Sequence, residues 1–234
     1  MSELIIVHLY PRELGINGDV GNVTALRRRA EWRGMTARVV NVGAGEPLPP
    51  VAHLVHVGSG PASARHPLHA DVAGHAATLQ AWAADGVPFL AVAAGWQLLG
   101  REVTELDGTV SAGAGIFPST ATVSAERTVG EVAGESELGE VAGFVNYGAT
   151  TTVDAGVGRL ARLGSADEGI VAGDLVATHL HGSFLPMNPV WADRLLEAAA
   201  HRAGLTPTEP DPRLAAIDDY ARRSRAAIRG RLGR

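Results

Sequence analysis

The chain has 234 residues, of which 46% are hydrophobic, and this length suits one well-filled core with or without a small appendage. Its formal net charge of −5 argues against non-specific binding to nucleic acid. It contains no cysteine, which excludes disulfides, thiolate metal sites and cysteine catalysis. Neither a membrane-spanning segment nor a signal peptide is indicated, and we therefore expect a cytoplasmic protein.

The first half of the chain alternates short apolar runs with segments of helical periodicity. Such alternation indicates a parallel sheet that is covered by helices on both faces. The predicted strands lie at 4–9, 36–42, 53–57 and 89–93, and the predicted helices at 20–33 and 70–85.

The second half changes character. Val-, Thr- and Gly-rich segments of alternating polarity at 108–132 and 139–154 predict antiparallel strands and hairpins. The stretch "GIVAGDLVATHLHG" at 169–182 predicts two further strands that are joined by a Gly-Asp turn.

Two helices are predicted at the C-terminal end. The first spans 188–204, with Asn188 as a candidate N-cap, Pro189 at the first helical position and Gly204 as the stop signal. The second is an Arg-rich amphipathic helix that follows a Pro-rich linker. Its arginines suit either an acidic partner surface or, more commonly, a solvated basic face. We therefore assign 1–204 to one domain and 205–234 to a linker and a helix packed on that domain.

The stretch "FLAVAAGWQLLG" at 89–100 combines a buried strand, a turn of small residues and the start of a helix. In α/β enzymes such a turn raises a nucleophile so that its reactive atom is exposed. Here the turn reads Ala93-Ala94-Gly95, and the helix begins with Trp96 and Gln97. The predicted elbow thus holds no side chain that can attack a substrate.

The order of motifs resembles the class I (triad-type) glutamine amidotransferases of the cobyric acid synthase branch, and within it the amidotransferase subunits of lipid II isoglutaminyl synthases. The resemblance covers roughly residues 5 to 200, which makes it more specific than any single motif. The matching stretches are "HLYPRELGINGDVGNVTALRRRAEWRG", "HVGSG", "FLAVAAGWQLLG", "DGTVSAGAGIFPSTATVSAERTVGEV", "GFVNYGATTT" and "THLHGSFLPMNP".

This resemblance implies a flavodoxin-like α/β fold with a mostly parallel central sheet, helices on both faces and an antiparallel extension. It also implies a reaction in which a Cys thiolate attacks the side-chain amide of glutamine. A His then acts as base and acid, and backbone N–H groups hold the oxyanion. No cofactor and no metal are implied.

On this resemblance the nucleophile position falls on Ala93 and the base position on His181. A methyl group cannot attack, and a histidine in such a place is more often a structural residue. Ser59 and Ser183 are hydroxyls near the expected site, but neither lies at the elbow, where a substitute nucleophile would be needed.

The resemblance also implies a set of pocket residues. The loop of Gly58, Ser59 and Gly60 matches the oxyanion loop, although Gly-rich turns are routine in α/β proteins. Gln97 matches a position that shapes the glutamine pocket, or it simply satisfies backbone groups at the start of a helix.

The stretch at 145–150, "VNYGAT", departs from the family. Relatives carry a Glu-Asn-His stretch with a downstream Arg there, where this chain has Asn146 and Tyr147 without a charged neighbour. These residues lie by the pocket that holds the charged ends of glutamine. An uncharged replacement leaves an α-amino acid without partners, which is unfavourable in a buried pocket.

Two hypotheses follow. The first is a pseudoenzyme subunit that partners a Mur-ligase-like ATP-dependent ligase and retains a pocket for a small-molecule ligand. The alternative is an active amidotransferase or small-molecule hydrolase that uses His181 without a cysteine.

Five histidines lie close together in sequence, but their spacing matches no zinc pattern, and no metal site is predicted. These histidines are His53, His56, His66, His69 and His75.

Overall fold

The computed structural model describes residues 3–181 and 183–233. The strands are β1 (Leu4–Leu9), β2 (Ala37–Val42), β3 (Leu54–Val57), β4 (Phe89–Val92), β5 (Glu102–Thr104), β6 (Val110–Ala112), β7 (Ser119–Ser136), β8 (Gly139–Val153), β9 (Ala161–Leu163), β10 (Ala166–Glu168), β11 (Ile170–Ala172), β12 (Leu175–Thr178) and β13 (Leu180–His181). The helices are α1 (Val20–Glu31), α2 (Ala62–Arg65), α3 (Leu68–Ala84), α4 (Ala94–Leu99), α5 (Phe184–Met187), α6 (Pro189–Ala203) and α7 (Pro212–Arg231).

The central sheet has the strand order β11-β12-β4-β3-β1-β2. All neighbours in it are parallel except β11, which pairs antiparallel with β12 across the predicted Gly-Asp turn. Strands β3 and β4 are buried along their whole length, as expected of a sheet covered on both faces. The alternation of strand and helix predicted from the sequence is therefore confirmed.

The antiparallel half of the chain forms a second sheet around a long hairpin of β7 and β8. The hairpin register shifts between Val123 and Thr128, which marks a bulge. Strand β13 joins this sheet, with Leu180 opposite Val145 and His181 opposite Phe144. Because β13 follows β12 almost directly, the chain passes here from the central sheet to the second one.

The ends of α6 confirm two predictions and correct a third. Pro189 lies in the first turn, and Gly204 ends the helix in a left-handed conformation, with φ 62°. Asn188, however, does not cap the helix with its side chain. Its amide instead accepts from the Ala142 N–H at 3.0 Å and donates to the Ala142 and Phe184 carbonyls at 2.9 Å. Asn188 thus fastens β8 to α5.

Helix α7 packs on the hairpin through ion pairs with the chain's own carboxylates. Arg229 lies 3.1 Å from Glu140, and Arg231 lies 2.5 Å from Glu131. This part of its basic face is therefore neither a free docking surface nor fully solvated. Among the described residues, no helix is both long and apolar enough to cross a membrane.

Candidate functional site

The turn after β4 is strained at Ala93. This residue has φ 44° and ψ −100°, a backbone conformation that residues other than glycine rarely adopt. Its N–H donates to the Thr178 carbonyl at 2.9 Å, and its own carbonyl accepts from the Gln97 N–H at 3.0 Å. Such strain costs on the order of 1–3 kcal/mol and persists where the surroundings impose it. The structure thus contains the predicted elbow, with a methyl group at its tip.

Gly95 brings the elbow into contact with the loop after β3. The Gly95 N–H donates to the Gly58 carbonyl at 2.9 Å. A Cβ at Gly95 would lie 2.3 Å from the Val57 carbonyl oxygen, so the close approach of helix and loop requires glycine here.

The loop from Gly58 to Gly60 is fixed from its other side by residues 13–19. A Cβ at Gly58 would lie 1.9 Å from the Asp19 carboxylate, and one at Gly60 would lie 2.4 Å from the Glu13 carbonyl. Between them, the Ser59 carbonyl accepts from the Ile16 N–H at 3.1 Å. The loop is therefore rigidly placed beside the elbow.

A cavity of about 420 Å³ lies in front of the elbow. It is lined by six of the residues predicted for the site, while Gly58 and His181 are not among its lining residues. The six are Ser59, Gly60, Ala93, Gln97, Asn146 and Tyr147.

Sequence reasoning missed Arg127, which lines the same cavity from β7. Its guanidinium donates to the Asn146 side-chain oxygen at 2.7 Å and to the Asn146 carbonyl at 3.2 Å. Arg65 lines the cavity as well, but Glu105 neutralises it through a bidentate contact at 2.7 and 2.8 Å. The described lining residues include no carboxylate, so the cavity favours an anionic group over a cationic one.

His181 lies on β13 and is buried. Within the described residues, neither of its ring nitrogens has a hydrogen-bond partner. Burial lowers the pKa of His181 below its ordinary value, although the charge of Asp19 opposes that shift. Burial thus favours the neutral ring, the form in which a histidine can accept a proton.

The two serines considered as substitute nucleophiles have different surroundings. Ser59 lines the cavity at the elbow, and Ser183 donates from its hydroxyl to the Gly18 carbonyl. Among the described residues, no hydrogen bond joins either hydroxyl to a histidine.

One cluster of metal-ligating side chains occurs among the described residues, formed by His8, Asp19 and His56. The parallel register of β1 and β3 sets the two histidines side by side. Their ligand atoms and that of Asp19 lie within 4.8 Å of one another. His56 Nε2 lies 2.7 Å from Asp19, which is a hydrogen-bond distance and shorter than the ~3.3 Å between ligands around tetrahedral zinc. The geometry therefore fits a hydrogen-bonded pair better than a bound ion.

Comparison with known proteins gives the family. Residues 5–189 match the family model of the CobB/CobQ-like glutamine amidotransferase domain. The chain belongs to this glutamine amidotransferase family. It is 32% identical over 218 residues to the lipid II isoglutaminyl synthase (glutamine-hydrolyzing) subunit GatD of Staphylococcus aureus (strain N315), and the match covers 90% of this chain and 89% of that protein.

Solved structures support the fold of this amidotransferase family member. A glutamine amidotransferase from Thermotoga maritima has a TM-score of 0.57 at 16% identity, covering 99% of this chain and 96% of the other. PurLQS from the same organism has a TM-score of 0.60 at 12% identity, covering 86% of this chain and 99% of the other. The mixed α/β architecture predicted from the sequence is thus that of class I glutamine amidotransferases.

Proposed function

We propose that this chain is a non-hydrolysing amidotransferase subunit that acts in the cytoplasm with a Mur-ligase-like, ATP-dependent ligase. One observation carries the proposal: the strained elbow is retained, but Ala93 stands at its tip in a chain without cysteine. A strained turn is normally kept where its geometry serves function. Here the geometry is kept and the nucleophile is lost.

In this proposal each predicted residue keeps its place but not its full role. Ala93 occupies the nucleophile position and His181 the base position, while the loop around Ser59 occupies the oxyanion site. Residues 1–204 form the amidotransferase-like domain, and the segment 205–234 belongs to the same unit.

The remnant pocket suits part of a glutamine molecule. Arg127 offers a cation for the α-carboxylate, whereas the described lining residues offer no carboxylate for the α-ammonium. An unpaired ammonium in a partly buried pocket costs binding energy. We therefore infer that glutamine binds weakly and that a small anionic ligand binds better.

Two exposed apolar residues support docking of a partner at the mouth of this pocket. Ile16 is 44% exposed and Leu106 is 66% exposed, and both line the cavity. The proposal places the ligase against these two side chains, whose apolar area the partner would remove from water. The similar Staphylococcus aureus protein is itself named as a subunit, which favours a ligase as the partner.

Co-expression tests the partnership. We expect this chain to co-purify with a Mur-ligase-like protein of the same organism, and the double variant Ile16→Asp/Leu106→Asp to lose the partner while keeping its own melting temperature. The matched control is Val129→Asp, an exposed apolar residue that does not line the cavity. A stable free monomer in repeated co-expression would overturn the proposal.

Restoring the nucleophile tests the pocket argument. We expect Ala93→Cys to give little glutaminase activity, because the pocket has no partner for the ammonium of glutamine. The measurement is ammonia release at high enzyme concentration, with the unaltered protein as the control. Robust turnover by Ala93→Cys would show that the pocket still binds glutamine well.

The same assay addresses the alternative function. The observation that favours it is the buried His181 ring, whose nitrogens have no hydrogen-bond partner in the part of the chain that the structure describes. Ammonia release by the unaltered protein, abolished in His181→Ala, would establish hydrolysis without cysteine and replace the pseudoenzyme proposal.

A further inference from the structure

A second group of reactive side chains lies away from the elbow and consists of Glu168, His179 and Thr151. His179 Nδ1 lies 3.3 Å from Glu168 Oε2, and His179 Nε2 lies 3.2 Å from Thr151 Oγ1. A carboxylate, an imidazole and a hydroxyl are thus connected in series. This is the order of groups that activates a hydroxyl nucleophile in serine-type hydrolases.

The contacts set the order of the hydrogen bonds in this relay. Glu168 is buried. Its Oε1 accepts from the Thr178 hydroxyl at 2.7 Å and from the backbone N–H of His179 at 2.6 Å. Burial favours the neutral acid, but attraction to His179 and these hydrogen bonds prevail and hold the pKa of Glu168 below its ordinary value. Glu168 Oε2 faces His179 Nδ1, so the tautomer with its proton on Nδ1 directs that proton to the carboxylate. The lone pair on Nε2 then accepts the proton of the Thr151 hydroxyl.

Packing holds the imidazole in place. Its ring stacks on Tyr147 with centroids 4.3 Å apart and lies 4.7 Å from the Trp96 ring. Thr151 is β-branched and lies in β8, where its side-chain rotamer is restricted. The relay is therefore preorganised rather than formed by mobile groups.

All three groups line a cavity of about 600 Å³ that is separate from the elbow cavity, although Tyr147 and Ser124 line both. This size accommodates a small organic molecule. The carboxylate of Glu126 lines the cavity and has no ion-pair partner among the described residues. Asp154 and Asp167 line it too, but Arg101 lies 2.6 Å from Asp154, and Arg159 and Arg162 lie 3.5 and 3.3 Å from Asp167. The carboxylate of Glu126 therefore carries the preference against an anionic substrate.

We propose that Thr151, His179 and Glu168 form a hydrolytic site for small uncharged or cationic esters. Thr151 Oγ1 attacks the ester carbonyl carbon while its proton passes to His179 Nε2. The carbon–oxygen bond to the alcohol then breaks, and the alcohol leaves with that proton. Water, activated by the same imidazole, hydrolyses the acyl-threonine, releases the carboxylic acid and restores the hydroxyl. Glu168 is a positioning residue that holds the ring in the required tautomer.

The experiment uses the full chain with p-nitrophenyl acetate as a neutral ester and p-nitrophenyl hemisuccinate as an anionic one. We expect hydrolysis of the acetate with a kcat/KM at least tenfold higher than that of the hemisuccinate. Thr151→Val removes the hydroxyl with little change of shape and should lower kcat/KM for the acetate at least a hundredfold. Thr152→Val is the matched control, since neighbouring strand residues face opposite sides and Thr152 does not line the cavity.

A covalent readout separates nucleophilic catalysis from a structural role of the hydroxyl. Acid quenching during turnover should leave an acetyl group on the peptide that contains Thr151, as measured by mass spectrometry. Absence of ester hydrolysis, or unchanged hydrolysis by Thr151→Val, would overturn the proposal. Because neither measurement involves glutamine or a ligase, this result is independent of the function proposed for the elbow.

Discussion

Arg29→Ala should lower the free energy of unfolding by about 3 kcal/mol, at the low end of the range for breaking a buried ion pair. The Arg29 side chain is 2% exposed and joins three helices. It makes a bidentate contact to Asp193 of α6 at 2.8 and 2.7 Å and reaches Asp218 of α7 at 2.6 Å. Removing it leaves Asp218 without this cation, while Asp193 keeps Arg33 at 3.0 Å. The low end applies because both keep partial access to water.

Chemical denaturation monitored by circular dichroism measures this loss. Arg28→Ala is the matched control, since Arg28 is the neighbouring residue of the same helix and its side chain is 51% exposed. Its pair with Glu31 is a surface salt bridge of about 0–1 kcal/mol. Equal effects of the two substitutions would show that the Arg29 network does not fasten the helices.

Gly95→Ala should be strongly destabilising, by about 3 kcal/mol, which is the upper part of the usual cost of overpacking. The new Cβ would lie 2.3 Å from the Val57 carbonyl oxygen and 2.7 Å from that of Gly58. Both are backbone atoms and cannot rotate away. The elbow and the loop must separate, which also weakens the hydrogen bond between Gly95 and Gly58.

The control for this variant is Gly74→Ala in α3. A Cβ at Gly74 meets nothing within 4 Å, and alanine is favoured over glycine inside a helix by roughly 1 kcal/mol. In thermal unfolding, the melting temperature should therefore fall for Gly95→Ala and rise for Gly74→Ala, although the chemical change is the same. A melting temperature of Gly95→Ala at or above that of the unaltered protein would contradict the close approach.

The sequence was sufficient for the parallel strands of the central sheet, for the longer helices and for the elbow, because all of these rest on local signals. The short strands β5, β9 and β10 and the short helices α2 and α5 were not predicted. A short apolar run followed by small residues specifies a strand and a tight turn, and Ala93 lies where this pattern placed it. Pro189 and Gly204 likewise act through their own backbone preferences. Asn188 occupies the predicted N-cap position, but its side chain does not cap the helix, because the backbone of Ala142 binds its amide instead.

The rest of the site depends on strand pairing, which local patterns do not specify. Arg127 reaches Asn146 only because the β7–β8 register brings positions 19 residues apart together. His179 meets Glu168 and Thr151 for the same reason, since these residues come from three separate segments. Gln97, in contrast, follows the elbow directly, so its place beside the cavity was predictable.

The crossing from β12 to β13 divides the candidate site between two hydrogen-bonded layers. Ala93 follows a strand of the central sheet, whereas His181 is held by the second sheet through its pairing with Phe144. Only His179 separates the two strands along the chain. The position of the His181 imidazole relative to the elbow therefore depends on how the two sheets are joined.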